Sequence, residues 1–239
     1  PLHSFPTRRS SDLRGIMTTS SHKNSKDFTI HSLDELGLKI QHLTTDSREL
    51  KPGDTFIAYA GERHDARQHI PGAIAIGANA IIWEKKGFNW DPQWQLPNLG
   101  VNDLRQKAGI IASHLLGYPS RKLWLVGITG TNGKTSCSHW FAQAMTVLGK
   151  KTAVIGTLGH GFASALASTT HTTPDAAQLQ QLLAEFVQQQ AQSVAMEVSS
   201  HGLDQGRLTG SEFSVAVLTN LSHDHLDYHG TMDSYAATK

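Results

Sequence analysis

A glycine-rich segment between an apolar strand and a helix constrains this chain more than any other feature. It follows the apolar run 123–128 and reads Gly130-Thr131-Asn132-Gly133-Lys134-Thr135-Ser136. Glycines let backbone N–H groups turn towards phosphate oxygens, and the helix start adds a partial positive charge. The lysine can reach β- and γ-phosphates, and the threonine hydroxyl can ligate Mg²⁺. The earlier glycine is Gly127 rather than position 128, which departs from the commonest spacing. An ordinary glycine-rich turn is the alternative, but Gly-Lys-Thr at a helix start favours a nucleoside-triphosphate site.

Strands and helices alternate around this segment, which predicts an α/β fold. After a break at Gly117-Tyr118-Pro119, strands are predicted at 123–128, 152–157, 193–198 and 214–219, with helices at 134–148 and 175–190. The second helix carries a helically spaced apolar stripe, which predicts a face packed on a core. The stripe consists of Leu179, Leu182, Leu183, Phe186 and Val187. This alternation implies a mainly parallel, doubly wound sheet with its ligands at the carboxyl ends of the strands.

The part before the break also reads as an α/β unit. Strands are predicted at 54–59 and 80–83, helices at 33–38, 66–77 and 102–116, and a loop at 90–99. We therefore expect two domains, residues 17–119 and residues 120–239. Residues 1–16 precede the first methionine, Met17, and are interpreted as a non-native leader, with a basic binding arm as the alternative.

Composition excludes several classes of protein. The net charge is +1, so no general basic field is available to hold nucleic acid. The chain has a single cysteine, Cys137, which excludes an internal disulfide framework and suits a reducing compartment. No apolar run approaches the roughly 20 residues that span a bilayer. These features predict a cytoplasmic protein without membrane insertion, and we expect a monomer.

Acidic and imidazole side chains follow two of the predicted strands. Glu197 ends the strand at 193–198, where an acidic group can lie near a nucleotide-bound metal. Asn220 to His225 follow the next strand and contain two histidines and an aspartate. Hard Mg²⁺ prefers oxygen ligands, so the histidines leave zinc open as an alternative. Because the chain has 14 histidines, clustering by chance is also open, but the position of His225 beside the predicted phosphates favours a role.

Four separated motifs in the chain resemble the Mur ligase family. They are the segment 130–136, the string Met196 to Leu203 (MEVSSHGL), the string Asn220 to His229 (NLSHDHLDYH), and Thr44 to Arg48 (TTDSR) followed by Pro52 to Phe56 (PGDTF). The resemblance runs from about residue 43 to residue 239. It implies an N-terminal uridine-nucleotide-binding α/β domain followed by a P-loop central domain, cut short within that domain and without the family's C-terminal domain.

The resemblance also implies an activity. The members whose motifs these strings resemble use ATP and Mg²⁺ to join meso-diaminopimelate or L-lysine to UDP-N-acetylmuramoyl-L-alanyl-D-glutamate. The reaction passes through an acyl phosphate and belongs to peptidoglycan synthesis. The domain that chooses the third amino acid lies beyond the sequence, so diaminopimelate and lysine stay open. We expect this stretch of chain on its own to be inactive. Alternatives are a different amide ligase, such as a folylpolyglutamate synthase or another Mur ligase, and a nucleotide-binding module without turnover.

Residue roles follow from the same resemblance. Residues 130–136 would bind ATP, and Lys134, His225 and Lys239 would be catalytic. The metal ligands would be Thr135, Glu197, His225 and Lys239, the last as a carbamate. The uridine part would contact Thr45 and Ser47, with Glu62, Arg63 and His64 nearby. The muramoyl-dipeptide would contact His171, Thr172, Thr173, Ser199, Gln205 and Arg207, with His171 standing where some relatives carry asparagine.

Overall fold

The computed structural model of this chain places its strands in two separate sheets. The residues that it describes are 30–34, 37, 40, 42–61, 64–169 and 171–239. Among them, one sheet has four strands and the other has six. The leader interpretation for residues 1–16 lies outside the described residues, as does part of the predicted helix at 33–38.

The first sheet is entirely parallel. Its strands are β1 (Leu43–Thr44), β2 (Thr55–Ala58), β3 (Ala80–Glu84) and β4 (Asn98–Val101), in the order β1-β2-β3-β4. The helices of this part are α1 (His31–Asp34), a 3-10 turn at Ala66–His69, α2 (Ile70–Ile76) and α3 (Leu104–Leu115). Parallel strands need crossover connections, and α2 supplies the one between β2 and β3.

Apolar side chains on alternate positions bury both faces of this sheet. Ile57 and Ile82 belong to the core that includes the apolar face of α3. Phe56 and Ile81 point the other way, into a core with residues of α2. Alternation of this kind follows from the two-residue period of a strand. The first sheet is therefore covered on both sides, as its parallel topology requires.

The prediction of a loop at 90–99 is wrong at its end, because Asn98 begins strand β4. This segment has weak strand propensity, but it pairs with β3 in the register Ile81↔Asn98. Tertiary pairing supplies the hydrogen bonds that local sequence does not predict. The loop before it is held by aromatic packing, since Trp90 stacks on Trp83 with ring centroids 5.5 Å apart.

The second sheet is mainly parallel and carries an antiparallel extension. Its strands are β5 (Trp124–Thr129), β6 (Thr152–Gly156), β7 (Gly159–Phe162), β8 (Ala165–Ala167), β9 (Ser193–Glu197) and β10 (Val215–Leu218), in the order β10-β5-β9-β6-β7-β8. Pairings are parallel from β10 to β6 and antiparallel from β6 to β8. The helices are α4 (Lys134–Val147), α5 (Ala176–Gln188), α6 (Ser200–Asp204), α7 (Leu226–His229) and α8 (Met232–Thr238), with a 3-10 turn at Pro119–Lys122.

Helices α4 and α5 contribute to two different cores on this sheet. The predicted stripe of α5 packs with β5, β6 and β9, and Leu179 and Leu183 are fully buried there. Ala142 of α4 belongs to a separate core with Val126 and Ile128 of β5. The predicted α/β class with a mainly parallel doubly wound sheet is confirmed. Within the described part of the chain, no helix is long and apolar enough to cross a bilayer.

Candidate functional site

The glycine-rich segment forms the turn between β5 and α4. Gly130 has a φ of 139° and Gly133 a φ of 86°, so both adopt backbone conformations that favour glycine. Gly133 is the N-cap of α4, and Lys134 and Thr135 form its first turn. The open N–H groups of a helix start, with the positive end of its dipole, provide an anion-binding site.

The ammonium group of Lys134 folds back over this turn. Its Nζ donates to the carbonyl oxygen of Gly130 at 2.8 Å and to that of Thr131 at 2.9 Å. The side chain is half-buried, and its head is held above the backbone of the turn. This places a positive charge where phosphate oxygens would meet the N–H groups of the turn.

The segment after β10 braces the turn from the neighbouring strand. The carbonyl oxygen of Asn220 accepts from Thr131 N at 3.0 Å, and its Oδ1 accepts from Asn132 N at 3.1 Å. Thr219 Oγ1 donates to the Asn132 carbonyl oxygen at 2.6 Å. A Cβ on Gly130 would lie 3.0 Å from the Asn220 carbonyl oxygen and would collide with the Thr219 hydroxyl. Glycine at 130 is therefore required by close approach as well as by φ.

A buried carboxylate faces the turn from β9. Glu197 is 1% exposed, and its Oε2 accepts from Thr135 Oγ1 at 2.9 Å. Its Oε1 accepts from Thr157 N at 2.9 Å, and Oε2 also accepts from Thr157 Oγ1 at 3.2 Å. A Cβ on Gly156 would lie 2.6 Å from Glu197 Cδ, so the glycine leaves the space that the carboxyl group occupies. Three donors thus fix the carboxylate beside the first turn of α4.

His225 is the N-cap residue of α7 and lies near His201. It adopts a left-handed conformation with a φ of 52°, and its ring centroid is 4.9 Å from that of His201. Burial lowers the pKa of His201, and the neighbouring His225 and His229 lower it further, so this imidazole favours its neutral form. In the part of the chain that the structure describes, no group of three or more His, Cys, Asp or Glu side chains is arranged to hold a metal ion.

Lys239 reaches the turn from the other side. Its Nζ donates to the Gly130 carbonyl oxygen at 3.0 Å and to Thr129 Oγ1 at 3.2 Å. Burial lowers its pKa to about 8, and the positive charge of Lys134 adds to this, while Asp224 opposes it. The amine of Lys239 is therefore much more often neutral near pH 8 than an exposed lysine is.

Four of the six residues predicted for the muramoyl-dipeptide form one hydrogen-bonded cluster beside the carboxyl end of β9. Thr173 Oγ1 donates to the Glu197 carbonyl oxygen at 3.1 Å and lies 3.0 Å from Ser199 Oγ. Arg207 donates through Nη1 to the Thr173 carbonyl oxygen at 2.7 Å, and through Nε to Gln205 Oε1 at 2.9 Å. Thr172 Oγ1 lies 3.0 Å from Thr157 Oγ1. The cluster thus bonds to the backbone of Glu197 through Thr173, and Thr157 links Thr172 to its carboxylate.

One cavity of about 510 Å³ brings most of the predicted residues together. The predicted residues that line it are Thr131, Asn132, Gly133, Lys134, Thr135, His171, Thr172, Glu197, Ser199, Arg207, His225 and Lys239. Thr173 is buried beneath this wall, and Gln205 lines a neighbouring cavity of about 480 Å³. Gly130 is buried within the turn, and Ser136 is exposed on the first turn of α4.

Three residues predicted for the uridine part, Thr45, Ser47 and His64, lie apart from this cavity, at or beyond the carboxyl ends of β1 and β2. Thr45 follows β1, and its hydroxyl donates to Asp175 Oδ2 at 3.0 Å. Ser47 is half-buried two residues further on, and His64 is exposed. Glu62 and Arg63 lie outside the described residues. Thr45, Ser47 and His64 therefore belong to the first sheet, whereas the glycine-rich turn belongs to the second.

Sequence reasoning missed Thr157 and Asp175. Thr157 follows β6 directly and bonds to Glu197, so the rule that ligand-binding residues follow parallel strands could have found it. Asp175 precedes α5, and an aspartate before a helical stripe signals an N-cap. Its second contact, to Thr45, joins residues 130 positions apart, and no local pattern indicates it.

Two family models match the chain. The Mur ligase middle domain matches residues 128–239, and the model described as Mur ligase family, catalytic domain, matches residues 39–115. Together they cover most of the chain. The first match contains most of the six-stranded sheet, and the second contains the four-stranded sheet.

Several relatives are strongly similar over most of the chain. A UDP-N-acetylmuramoyl-L-alanyl-D-glutamate--2,6-diaminopimelate ligase of Nitrosomonas europaea is 66% identical over 225 residues, which are 94% of this chain and 43% of that protein. The ligase of the same name from Chromobacterium violaceum is 57% identical over 208 residues, or 87% of this chain and 42% of that protein. The chain thus spans about two fifths of the length of the curated relatives that it matches.

Solved structures agree with the fold. A structure of a UDP-N-acetylmuramoyl-L-alanyl-D-glutamate--2,6-diaminopimelate ligase matches with a TM-score of 0.65 and 36% identity, over 83% of this chain and 40% of that one. A MurF ligase from Thermotoga maritima matches with a TM-score of 0.61 at 22% identity, over 84% of this chain and 42% of that one. The second likeness bears on the fold alone.

Proposed function

Since the chain belongs to the Mur ligase family, we propose that the protein of which it forms part is an ATP-dependent ligase of peptidoglycan precursor synthesis. It would add meso-diaminopimelate to UDP-N-acetylmuramoyl-L-alanyl-D-glutamate. The names of the relatives from Nitrosomonas europaea and Chromobacterium violaceum support diaminopimelate over L-lysine as the third amino acid. The activity, the substrates and the residue roles below are parts of this proposal.

One observation carries the proposal: a single cavity is lined both by a glycine-rich turn suited to phosphate and by a polar cluster suited to a carboxylate. The turn presents the N–H groups at the start of α4 and the Lys134 ammonium. The cluster includes the Arg207 guanidinium, which lines the cavity and whose positive charge suits a carboxylate. A ligase that activates a carboxylate with ATP needs these two groups side by side.

In the first step, a carboxylate oxygen of the substrate's D-glutamate attacks the γ-phosphorus of ATP. The bond between the γ-phosphorus and the β,γ-bridging oxygen breaks, and ADP leaves with that electron pair. Charge builds on the phosphoryl oxygens during this transfer, and positioning and charge neutralisation supply most of the catalysis. Lys134 and the N–H groups of residues 133–135 would receive these oxygens, while Arg207, Thr172 and Ser199 hold the acceptor.

Mg²⁺ fits the oxygen atoms at the base of this cavity. The Glu197 carboxylate and the Thr135 hydroxyl lie 2.9 Å apart, and both are hard ligands of the kind that Mg²⁺ prefers. When bound, the ion would neutralise charge on the phosphates. His225 and a carbamate on Lys239 would complete the surroundings, and the lowered pKa of Lys239 favours the neutral amine that carbamate formation needs.

In the second step, the amino group of diaminopimelate attacks the carbonyl carbon of the acyl phosphate. The tetrahedral intermediate expels inorganic phosphate, and the amine loses a proton to give the amide. The cavity wall around Thr172, Ser199 and Arg207 would hold the acyl group during this exchange. Stabilising the charge of such an intermediate is where fixed donors contribute most.

The uridine end of the substrate would lie at the carboxyl ends of the first sheet. Thr45 and Ser47 would contact it, with Glu62, Arg63 and His64 near. The first sheet and residues 17–119 would form the nucleotide-sugar domain, and residues 120–239 the ATP-binding domain. We further propose that the protein is cytoplasmic, since ATP and UDP-linked precursors are available in that compartment. We also propose that it is a monomer.

The test is an assay of the full-length protein with its three proposed substrates. We expect phosphate release that depends on ATP, UDP-N-acetylmuramoyl-L-alanyl-D-glutamate and meso-diaminopimelate together, and much less with L-lysine. A thermal shift adds an independent reading, because a ligand that binds the native state raises the melting temperature. The proposal would be contradicted if a folate substrate raised the melting temperature, or if phosphate release continued when another compound replaced UDP-N-acetylmuramoyl-L-alanyl-D-glutamate.

A further inference from the structure

Helix α5 belongs to both sheets. Leu179, Leu182 and Leu183 pack in the core of the second sheet. On the opposite face of the helix, Ala177 is fully buried in the core of the first sheet, with Leu43 and Ile57. On the same helix, Gln181 Oε1 accepts from the backbone N–H of Leu43 at 3.2 Å. The edge strand β1 is therefore attached to a helix that the second sheet also needs.

Close backbone packing fixes the same junction from the side of α3. A Cβ on Gly109 of α3 would lie 2.9 Å from the Cβ of Ala176, which begins α5. A Cβ on Gly210 would lie 2.6 Å from the carbonyl carbon of Gly109. Neither glycine position has room for a methyl group, so the backbone of α3 packs directly on the backbone of the segment around Gly210. A junction packed in this way has little freedom to slide.

Asp175 joins the two ends of the proposed substrate site at this junction. Its Oδ1 accepts from Ala177 N and Gln178 N, both at 3.0 Å, and so caps α5. Its Oδ2 accepts from the hydroxyl of Thr45 at 3.0 Å. Thr45 is in the uridine set, and Thr172 and Thr173, a few residues before Asp175, are in the muramoyl-dipeptide set. One carboxylate thus connects the two sets.

We propose that Asp175 is a positioning residue that fixes the spacing between the uridine end and the muramoyl-dipeptide end of the substrate site. This inference rests on the proposed function. Asp175 holds Thr45 to the start of α5. A ligand that spans both sheets would therefore find its uridine contacts and its muramoyl-dipeptide contacts already held at a fixed distance. UDP alone would contact only the uridine residues, so a fixed distance between the two sets of contacts would not change its affinity. The carboxylate should therefore matter for spanning ligands and not for their uridine fragment.

Two substitutions separate the two contacts of this carboxylate. Asp175→Ser keeps an N-cap oxygen, since serine caps helices about as well as aspartate, but its side chain is too short to reach Thr45. Asp175→Asn keeps the cap acceptor and offers an N–H group to the Thr45 oxygen. Gln181→Leu is the matched control, because it removes the other side-chain bond between α5 and β1 without touching either substrate set.

The experiment is calorimetric titration of the full-length protein with UDP-N-acetylmuramoyl-L-alanyl-D-glutamate and, separately, with UDP. For Asp175→Ser we expect about a fivefold rise in the Kd of the whole substrate, the contribution of one net hydrogen bond, and a Kd for UDP within about twofold of wild type. Asp175→Asn should stay within about twofold for both ligands. Gln181→Leu should lower the melting temperature and leave the ratio of the two Kd values unchanged.

The outcomes separate this inference from the proposed function. An unchanged ratio of the two Kd values in Asp175→Ser, or the same change of ratio in Gln181→Leu, overturns the positioning role alone. A wild-type protein that binds neither ligand overturns the proposed function and the inference with it.

Discussion

Substitution of Gly156 by alanine tests the buried carboxylate without altering any group proposed to act. The new Cβ would lie 2.6 Å from Glu197 Cδ and 2.8 Å from Glu197 Cγ. Carbon atoms in contact prefer a separation of about 3.5–4.0 Å, so the carboxyl group must retreat by about 1 Å. That movement breaks or lengthens its bonds to Thr157 N and Thr135 Oγ1, which are now 2.9 Å long.

The magnitudes predict a large effect on activity and a modest one on stability. The obstructing atoms belong to a side chain that can move, so the free energy of unfolding should fall by about 1–3 kcal/mol, as in other overpacked cores. A misplacement of about 1 Å at a phosphoryl-transfer site costs on the order of 100-fold in kcat. Ligase turnover should therefore fall about 100-fold in a variant that is folded at 25 °C.

The assay pairs steady-state turnover with thermal unfolding in the full-length protein. Gly72→Ala is the matched control, because a Cβ there has nothing within 4 Å and alanine favours the helix α2. If Gly156→Ala acts through Glu197, adding it to a Glu197→Gln variant should cost little more. Turnover within about threefold of wild type in Gly156→Ala would refute the reasoning.

Two further predictions concern the lysines at the phosphate-binding turn. Lys134→Ala should abolish ligation and leave the melting temperature close to that of wild type, whereas Lys150→Ala, an exposed lysine just beyond α4, should leave turnover unchanged; wild-type turnover in the Lys134 variant would end its assignment to ATP. In buffer freed of CO₂, so that no carbamate blocks the amine, Lys239 should show half-maximal labelling by an amine reagent near its pKa of about 8. Lys134→Ala should move that midpoint upwards, because the Lys134 charge helps to lower this pKa. A midpoint near the ordinary lysine value of 10.5, measured by mass spectrometry, would contradict the buried setting.

Much of the fold follows from the sequence where local and tertiary preferences agree. The strand, turn and helix at residues 123–148 are predicted because an apolar run, required glycines and a helix start coincide. The hairpin of β7 and β8 was not predicted. Its Gly159 and Gly161 have φ values of 131° and 135°, and glycines of this kind read as turn in the sequence although the pairing with β6 makes them strand.

The candidate site divides in the same way. Glu197 and His225 were predicted from their places after strands, and the structure brings both to the cavity. The bond between Thr45 and Asp175 could not be predicted, because it depends on how α5 packs between two sheets. Sequence periodicity identifies the apolar stripe of α5, but it does not say that Ala177, on the opposite face of the helix, is buried in a different core.

The central claim is that a substrate carboxylate is activated by phosphoryl transfer from ATP in this cavity. The most direct test uses UDP-N-acetylmuramoyl-L-alanyl-D-glutamate labelled with oxygen-18 in the D-glutamate side-chain carboxylate, turned over by the full-length protein with ATP and meso-diaminopimelate. The attacking oxygen becomes part of the acyl phosphate and leaves with phosphorus when the amine displaces it. We predict that the released phosphate carries one labelled oxygen per turnover, and phosphate without label would contradict the account.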